Sequence, residues 1–148
     1  ARFFSGDYQA AVAAFDRALE RDPSAVYLVT WRYWAAVRAG REQEAKAWLQ
    51  QHREHVKQSS EWVDHLVGFL TGEIDQERLL QLAEAAEPDA RPARACEAHF
   101  FIAERCQQAG QSEKAAQHYR QAVETRQRHL SAYRGARLAL DASGKSTQ

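Results

Sequence analysis

The sequence is first informative through what it lacks. Its 148 residues include no Met, no Asn, two Cys, three Pro and seven Gly. So few Pro and Gly argue against a disordered chain, and no apolar run approaches the ~20 residues of a transmembrane helix. The 20 basic and 20 acidic side chains cancel, which disfavours a general nucleic-acid or membrane-surface binder, because such binders need a basic excess. The absence of Met predicts that this is part of a longer chain.

The two cysteines are too far apart to form a disulfide. Cys96 and Cys106 lie in one helical pattern, ten residues apart. At 1.5 Å per residue their Cα atoms are roughly 15 Å apart, beyond the ~7 Å limit for a disulfide. We therefore expect two buried apolar thiols, which do not report the redox compartment.

The chain is predicted to be all-α. Helix-forming Ala, Glu, Gln, Arg and Leu dominate, and no alternating strand-like run is present. Breakers separate about eight helix-length segments, and Ser24 is expected to cap the second of them. We predict a single domain, 1–148, with these parts: a partial first repeat at 1–23, a second at 24–58, a divergent third at 59–88, a fourth at 93–127, a capping helix at 128–142 and a tail at 143–148.

A repeat recurs along the chain at a spacing of 34 residues. Gly6 and Gly40 are separated by that interval, and the same pattern returns at Gly110. The glycine ends the first helix of a hairpin, a small residue five positions later allows close helix approach, and a larger residue one turn on fills the remaining space. Because one hairpin cannot bury its apolar face alone, such units stack. The small positions are Ala11, Ala45 and Ala115, and the larger ones are Phe15, Leu49 and Tyr119.

This pattern resembles the tetratricopeptide repeat, and a narrower resemblance covers most of the chain. Ser5-Gly6-Asp7-Tyr8, followed by Ala18-Leu19 and Asp22-Pro23, is similar to a consensus unit. The blocks similar to NlpI-type bacterial lipoproteins are Trp31-Arg32-Tyr33-Trp34, Gly68-Phe69-Leu70-Thr71-Gly72-Glu73-Ile74, Cys96-Glu97-Ala98-His99-Phe100-Phe101 and the helix from Tyr133 to Leu140.

The narrower resemblance implies a scaffold in the bacterial cell envelope that docks cell-wall hydrolases or a protease. It implies a periplasmic or outer-membrane-associated protein; without that resemblance the expected location is cytoplasmic. The lipid-anchored N-terminal part of that family is absent from this sequence, which leaves anchoring and its form of homodimer open.

The expected binding site is the concave groove of the stacked hairpins. The first helices of successive units line that groove and bind extended segments or helices. Tyr, Trp and Arg are frequent anchors of such interfaces. Trp31 is expected in the core, whereas the sequence leaves Trp34 open between core and groove. The predicted groove residues are Tyr27, Thr30, Trp34, Val37, Arg38, Glu97, Phe100, Glu104 and Gln108, with Phe3 and Phe4 from the truncated first unit.

No catalytic or cofactor-binding motif stands out in the sequence. His52 and His55 could share a helix face, but no third ligand accompanies them and their surroundings are polar, so no metal site is expected. His65, His99, His118 and His129 lie on separate predicted helices, and their spacing does not require them to meet. The lack of Asn excludes the carboxylate clamp by which some tetratricopeptide domains bind chaperone C-termini. We therefore predict a protein without enzymatic activity, metal or cofactor.

The zero net charge conceals an asymmetry. Residues 1–90 carry 10 basic and 15 acidic side chains, whereas residues 91–148 carry 10 basic and 5 acidic ones. The basic excess could bind an acidic partner, an anionic lipid or nucleic acid, or could associate two copies head to tail; alternatively, arginine stems simply cover apolar surface. The arginines concerned are Arg120, Arg126, Arg128, Arg134 and Arg137.

The predicted function is a protein-interaction scaffold that binds a protein or peptide. Nucleic-acid or anionic-partner binding through the basic C-terminal helices is the alternative. A metal-dependent hydrolase that uses His52 and His55 is a remote third.

Overall fold

The computed structural model describes residues 6–144, and this range contains eight α-helices. The predicted helix remnant at 1–4, with Phe3 and Phe4, and the tail residues 145–148 lie outside the described range. The predicted all-α class is confirmed. The helices are α1 (Tyr8–Arg21), α2 (Tyr27–Arg38), α3 (Glu42–Ser59), α4 (Glu61–Leu70), α5 (Gln76–Glu84), α6 (Arg91–Gln108), α7 (Ser112–Glu124) and α8 (Ser131–Ala142).

The helices form two compact units, Ala1–Glu73 and Ile74–Gln148. In the first unit each helix packs against the next along the chain, and α2 also contacts α4. In the second unit α5 packs on α6, α6 on α7, and α8 on both α6 and α7. This sequential pairing agrees with the predicted helical hairpins. The repeat boundaries and the single-domain organisation stay predictions.

Glycines in the left-handed conformation end α2 and α6. Gly40 has φ +82°, and the N–H of the next residue, Arg41, donates to the carbonyl of Ala36 at 2.9 Å. The Gly40 N–H donates to the Val37 carbonyl at 3.0 Å. These two bonds satisfy carbonyls that the end of α2 would otherwise leave unpaired. The same pair of bonds follows α6, where Gly110 has φ +77°.

The other repeat positions lie in the hairpin interiors. Ala11, Ala45 and Ala115 are buried, as are the larger side chains one turn later. A methyl group at the first position allows two helix backbones to approach, and the larger side chain fills the space beyond it. The larger residues are Phe15, Leu49 and Tyr119, and Gly6 has a positive φ like Gly40 and Gly110.

Two helix starts differ from the prediction. Ser24 does not cap α2, because it lies in the turn after α1, where its amide and its hydroxyl donate to the Asp22 carboxylate. Helix α2 begins three residues later, at Tyr27, without a side-chain cap. The last helix begins at Ser131 rather than at Arg128, because the chain turns after α7 at Arg126, whose φ is +60°.

Both cysteine thiols lie on α6, in the interior of the second unit. Cys96 and Cys106 are buried and free, as predicted. Burial raises the pKa of the Cys96 thiol to about 11, against an opposing hydrogen bond with Thr125. None of the helices within residues 6–144 combines the length and the apolar composition needed to cross a bilayer.

Candidate functional site

The predicted groove residues of the first unit lie on one face of α2 but differ in exposure. At 100° per residue, positions 27, 30, 34 and 38 fall within about a quarter of the helix circumference. Tyr27, at the start of the helix, is 57% exposed. Arg38, in the last turn, is half-buried. Thr30 and Trp34, between them, are buried. The solvent-accessible part of this face is therefore at its two ends.

Aromatic contacts hold Trp34 in the interior of the first unit. Its ring meets Tyr8 of α1 and Trp31 of α2 edge to face, each at a centroid separation of 5.5 Å. Such T-shaped contacts are favourable beyond the area they bury. Thr30 donates its hydroxyl to the Tyr27 carbonyl at 2.8 Å. The structure thus places both tryptophans in the core, and a partner-contact role for Thr30 and Trp34 stays a prediction.

A buried arginine that sequence reasoning missed lies at the centre of the first unit. The side chain of Arg32 on α2 is 6% exposed. Its Nε donates to Asp16 of α1 at 3.0 Å and its Nη2 donates to the same carboxylate at 3.4 Å. Its guanidinium carbon lies 4.5 Å from the ring centroid of Trp48 on α3. Arg32 therefore joins three helices, while its buried Nη1 has no hydrogen-bond partner among the described residues.

The predicted groove residues of the second unit lie along α6 and are largely covered by α7. Phe100 and Glu104 are buried, whereas Gln108 is exposed. The Tyr119 hydroxyl of α7 donates to the Glu104 carboxylate, and the Phe100 and Tyr119 rings are 6.1 Å apart. This carboxylate is thus held inside the hairpin by a phenol. Contact of Phe100, Glu104 and Gln108 with a partner stays a prediction.

Unpaired positive charge is concentrated after α7 and along α8. Within the described range, Arg126, Arg128, Arg134 and Arg137 are exposed, and none forms an ion pair with a carboxylate. Arg120, in the same predicted set, is half-buried. Leu138, next to Arg137, is 47% exposed. We call the four exposed arginines and this leucine the basic patch.

In the candidate metal-ligating pair, His52 and His55, one ring nitrogen of each histidine faces a backbone carbonyl. The Nδ1 of His52 lies 2.9 Å from the Trp48 carbonyl, and its ring stacks on that indole at 4.0 Å. The Nε2 of His55 lies 2.6 Å from the Pro23 carbonyl. A ring nitrogen that faces a carbonyl must carry a proton, so neither of these nitrogens can ligate a metal. Residues 6–144 contain no group of three or more His, Cys, Asp or Glu side chains able to hold a metal.

The second unit instead brings together two histidines that the sequence left apart. The Nδ1 atoms of His99 on α6 and His118 on α7 are 2.9 Å apart. Burial, together with the neighbouring His118, lowers the pKa of His99 to about 4, and burial also lowers the pKa of His118. The sequence offers one signal of this contact. His99 lies 11 residues before Gly110 and His118 lies 8 residues after it, and the antiparallel hairpin turns at Gly110.

A cavity of about 300 Å³ adjoins this pair. It opens between α5 and the hairpin of α6 and α7, and it is lined by apolar side chains together with three polar ones and His99. The lining residues are Leu80, Ala83, Glu84, Arg91, Ala95, His99 and Gln121. The Nε of Arg91 donates to the Ala86 carbonyl at 2.9 Å, which fixes that guanidinium at the cavity edge.

Comparison with known proteins identifies a repeat in the first part of the chain. The family model described as tetratricopeptide repeat matches residues 5–64. That segment spans α1, α2, α3 and the start of α4. No curated protein matches the chain. Residues 5–64 therefore carry a tetratricopeptide repeat, which is generally a protein-interaction module.

Proposed function

We propose that this chain is a non-catalytic scaffold that binds a protein or peptide partner. The observation that carries the proposal is the coincidence of the tetratricopeptide match at 5–64 with helices that pack sequentially as hairpins. Such repeats present side chains from successive helices to a partner rather than assembling a reaction centre. The proposed absence of catalysis, of a cofactor and of a metal follows from this kind of module.

The proposed contact residues in the first unit are the accessible ends of the α2 face. Tyr27 offers a large exposed ring with only two side-chain torsions to immobilise, which favours an anchoring role. Arg38 is half-buried and already interacts with another residue of the chain, so a contact with a partner would replace that interaction. Thr30 and Trp34 would contribute by holding α2 in place. In the second unit, Gln108 is the corresponding accessible residue of the α6 face.

The test compares partner capture by the wild type with capture by Tyr27→Ala and Tyr27→Ala/Arg38→Ala. Gln117→Ala on α7 is the control, because it also truncates an exposed side chain but lies outside both the α2 face and the basic patch. Quantitative mass spectrometry of captured proteins, followed by calorimetry with the purified partner, should show a loss of about tenfold or more in affinity, as expected for a hot-spot residue. An unchanged partner set and affinity in folded Tyr27 variants would refute the proposed face.

A second candidate function is binding of an anionic partner through the basic patch. Its support is the group of four exposed arginines that have no carboxylate partner within residues 6–144. Neutralising Arg126 and Arg128 should reduce the slope of log affinity against log salt by about one for each lost phosphate contact when the probe is DNA. No binding of a DNA or an acidic-polypeptide probe at low salt would exclude this function.

The finer proposal, from the resemblance to NlpI-type lipoproteins, is an envelope scaffold that docks a cell-wall hydrolase or a protease. In that form the partner captured through Tyr27 is such an enzyme and the protein is periplasmic or associated with the outer membrane. Fractionation of cells that express the natural full-length protein tests the location. Sedimentation velocity across a concentration series tests the accompanying homodimer, and a head-to-tail association would weaken with salt.

A further inference from the structure

The second unit contains a pair of histidines whose geometry differs from ring stacking. The His99 and His118 ring planes are inclined by 26°, with centroids 5.2 Å apart and Nδ1 atoms 2.9 Å apart. Each Nδ1 lies about 1.2 Å from its own ring centroid at ordinary bond lengths. Both nitrogens must therefore lie close to the line between the centroids. The rings meet edge to edge, and one Nδ1 points directly at the other.

This arrangement requires a single shared proton. Two nitrogens at 2.9 Å form a normal hydrogen bond when one carries hydrogen and the other offers its lone pair. One ring is thus the Nδ1–H tautomer and the other accepts at Nδ1 while it carries hydrogen at Nε2. Only the donor ring has an unprotonated nitrogen left, namely its Nε2.

We infer that His99 and His118 form a proton-operated latch between α6 and α7, which stays closed with no or one added proton and opens with two. The first added proton binds Nε2 of the donor ring, which leaves the Nδ1–H···Nδ1 bond in place and makes it charge-assisted. The second must bind the accepting Nδ1. Two N–H groups and two positive charges would then face each other at 2.9 Å, and the rings must separate. Hereafter the pair is called the histidine latch.

The charged residues that line the adjoining cavity affect the free energy of protonating the latch. From α5, Glu84 lines the adjoining cavity and offers negative charge; from α6, Arg91 offers positive charge at the same cavity. From α7 the titratable neighbour is His118 itself, and the Gln121 amide is neutral. The fourth helix of the unit, α8, contributes no lining residue to that cavity. One carboxylate against one guanidinium leaves no excess of negative charge in the cavity lining to stabilise a doubly protonated pair.

The sign of the expected pH dependence follows from the histidine pKa values. Burial lowers the pKa of both histidines, to about 4 for His99. The open form, with ordinary histidines, therefore binds more protons as the pH falls below about 6.5. The closed latch is most stable above that pH and loses stability as the pH falls towards 4. For each extra proton bound by the open form, the opening equilibrium rises by up to about tenfold per pH unit.

The experiment is a ¹⁵N NMR titration of the imidazoles in the full chain, recorded together with the backbone amides. At pH 7 we expect one Nδ1–H and one Nε2–H tautomer, and then two coupled steps below pH 6.5. The second step should shift or broaden amides of α6 and α7 with the same midpoint as the imidazole signals. His118→Gln should remove the second step while His99 still titrates, and His129→Gln, which alters an exposed histidine outside the latch, should change neither step.

A second measurement keeps the inference testable if a variant folds poorly. Urea unfolding of the wild type, followed by circular dichroism, should show a stability loss between pH 6.5 and 4 that His118→Gln reduces and His129→Gln retains. Two Nε2–H tautomers at pH 7, independent titration of both rings near pH 6.5, or an equal loss of stability in His118→Gln would each overturn the latch. These outcomes do not depend on the proposed partner-binding function.

Discussion

The buried guanidinium of Arg32 allows a direct test of what stabilises the first unit. Asp16→Ala removes the carboxylate that accepts two of its hydrogen bonds, whereas Arg32→Met removes the guanidinium and keeps a side chain of similar length. A simple count of lost contacts predicts that Arg32→Met costs more stability than Asp16→Ala. Desolvation predicts the opposite ranking, because only the arginine is fully withdrawn from water.

The exposures of the two partners set the magnitudes. The Arg32 side chain is 6% exposed and that of Asp16 is 41% exposed. Breaking a fully buried ion pair costs about 3–5 kcal/mol. Because solvent reaches Asp16, we expect about 2–3 kcal/mol for Asp16→Ala after discounting for screening. Arg32→Met loses the contact with Trp48, about 1–2 kcal/mol. It also removes the buried Nη1, which has no hydrogen-bond partner within residues 6–144, so the net cost is expected to be about 0–1.5 kcal/mol.

The assay is urea unfolding followed by tryptophan fluorescence, which reports the first unit alone. All four tryptophans, Trp31, Trp34, Trp48 and Trp62, lie within residues 1–73. At a slope of about 2 kcal/mol per molar urea, Asp16→Ala should lower the midpoint by about 1 M or slightly more. The double variant should cost no more than Arg32→Met, since the carboxylate has no cation left to pair with. A cost below about 1 kcal/mol for Asp16→Ala, or a larger one for Arg32→Met, would refute the reasoning.

Three further predictions concern other parts of the chain. Tyr119→Phe should destabilise the second unit by about 1.5–3 kcal/mol, because the buried Glu104 carboxylate loses a donor; adding Glu104→Gln should recover part of this loss in urea unfolding by circular dichroism, and no recovery would argue against a charge effect. Gly40→Ala should cost about 1–2 kcal/mol in the fluorescence assay from the left-handed conformation alone, since an added Cβ meets no atom within 4 Å; a cost near zero would contradict this. Cys96 should react with a thiol reagent at pH 8 only upon unfolding, because a pKa of about 11 against an ordinary 9.0 lowers its thiolate fraction roughly 100-fold; rapid labelling of Cys96 in the native protein would show that it is accessible.

The sequence was sufficient for features that depend on local chemistry. The helix ends at Gly40 and Gly110 require a positive φ, which few residues other than glycine adopt readily. The buried Ala45 and Leu49 follow from the helical period of α3. Ser24 shows the limit of such reasoning, because a serine near a predicted helix start does not fix where the helix begins. Helix α2 begins at Tyr27, and Ser24 lies in the turn before it.

The sequence was insufficient for contacts that depend on which neighbour covers a helix face. Periodicity places Tyr27, Thr30, Trp34 and Arg38 on one face of α2. It does not reveal that Tyr8 of α1 covers Trp34. Likewise, Glu104 and Tyr119 have compatible spacings from Gly110, but only the helix packing brings carboxylate and phenol together.

Arg32 did carry a signal that the sequence analysis did not use. It lies in the run Thr30-Trp31-Arg32-Tyr33-Trp34, and every residue from 29 to 36 is buried. A helix that is apolar around its whole circumference is a buried helix, so a charge within it needs a partner from a neighbouring helix. Asp16, one of the two acidic residues of α1, lies 16 residues earlier, across the hairpin turn.

The uneven burial of the α2 face also limits the partner that this face can bind. Tyr27 and Arg38 are separated by eleven residues, or about 16 Å along the helix axis. A partner that contacts both must cross the covered middle of the face above Trp34. An extended segment of about five residues, at roughly 3.3 Å each, spans that distance, as does a helix of three turns. A shorter peptide would reach Tyr27 or Arg38 but not both, so its binding should respond to only one of the two alanine substitutions.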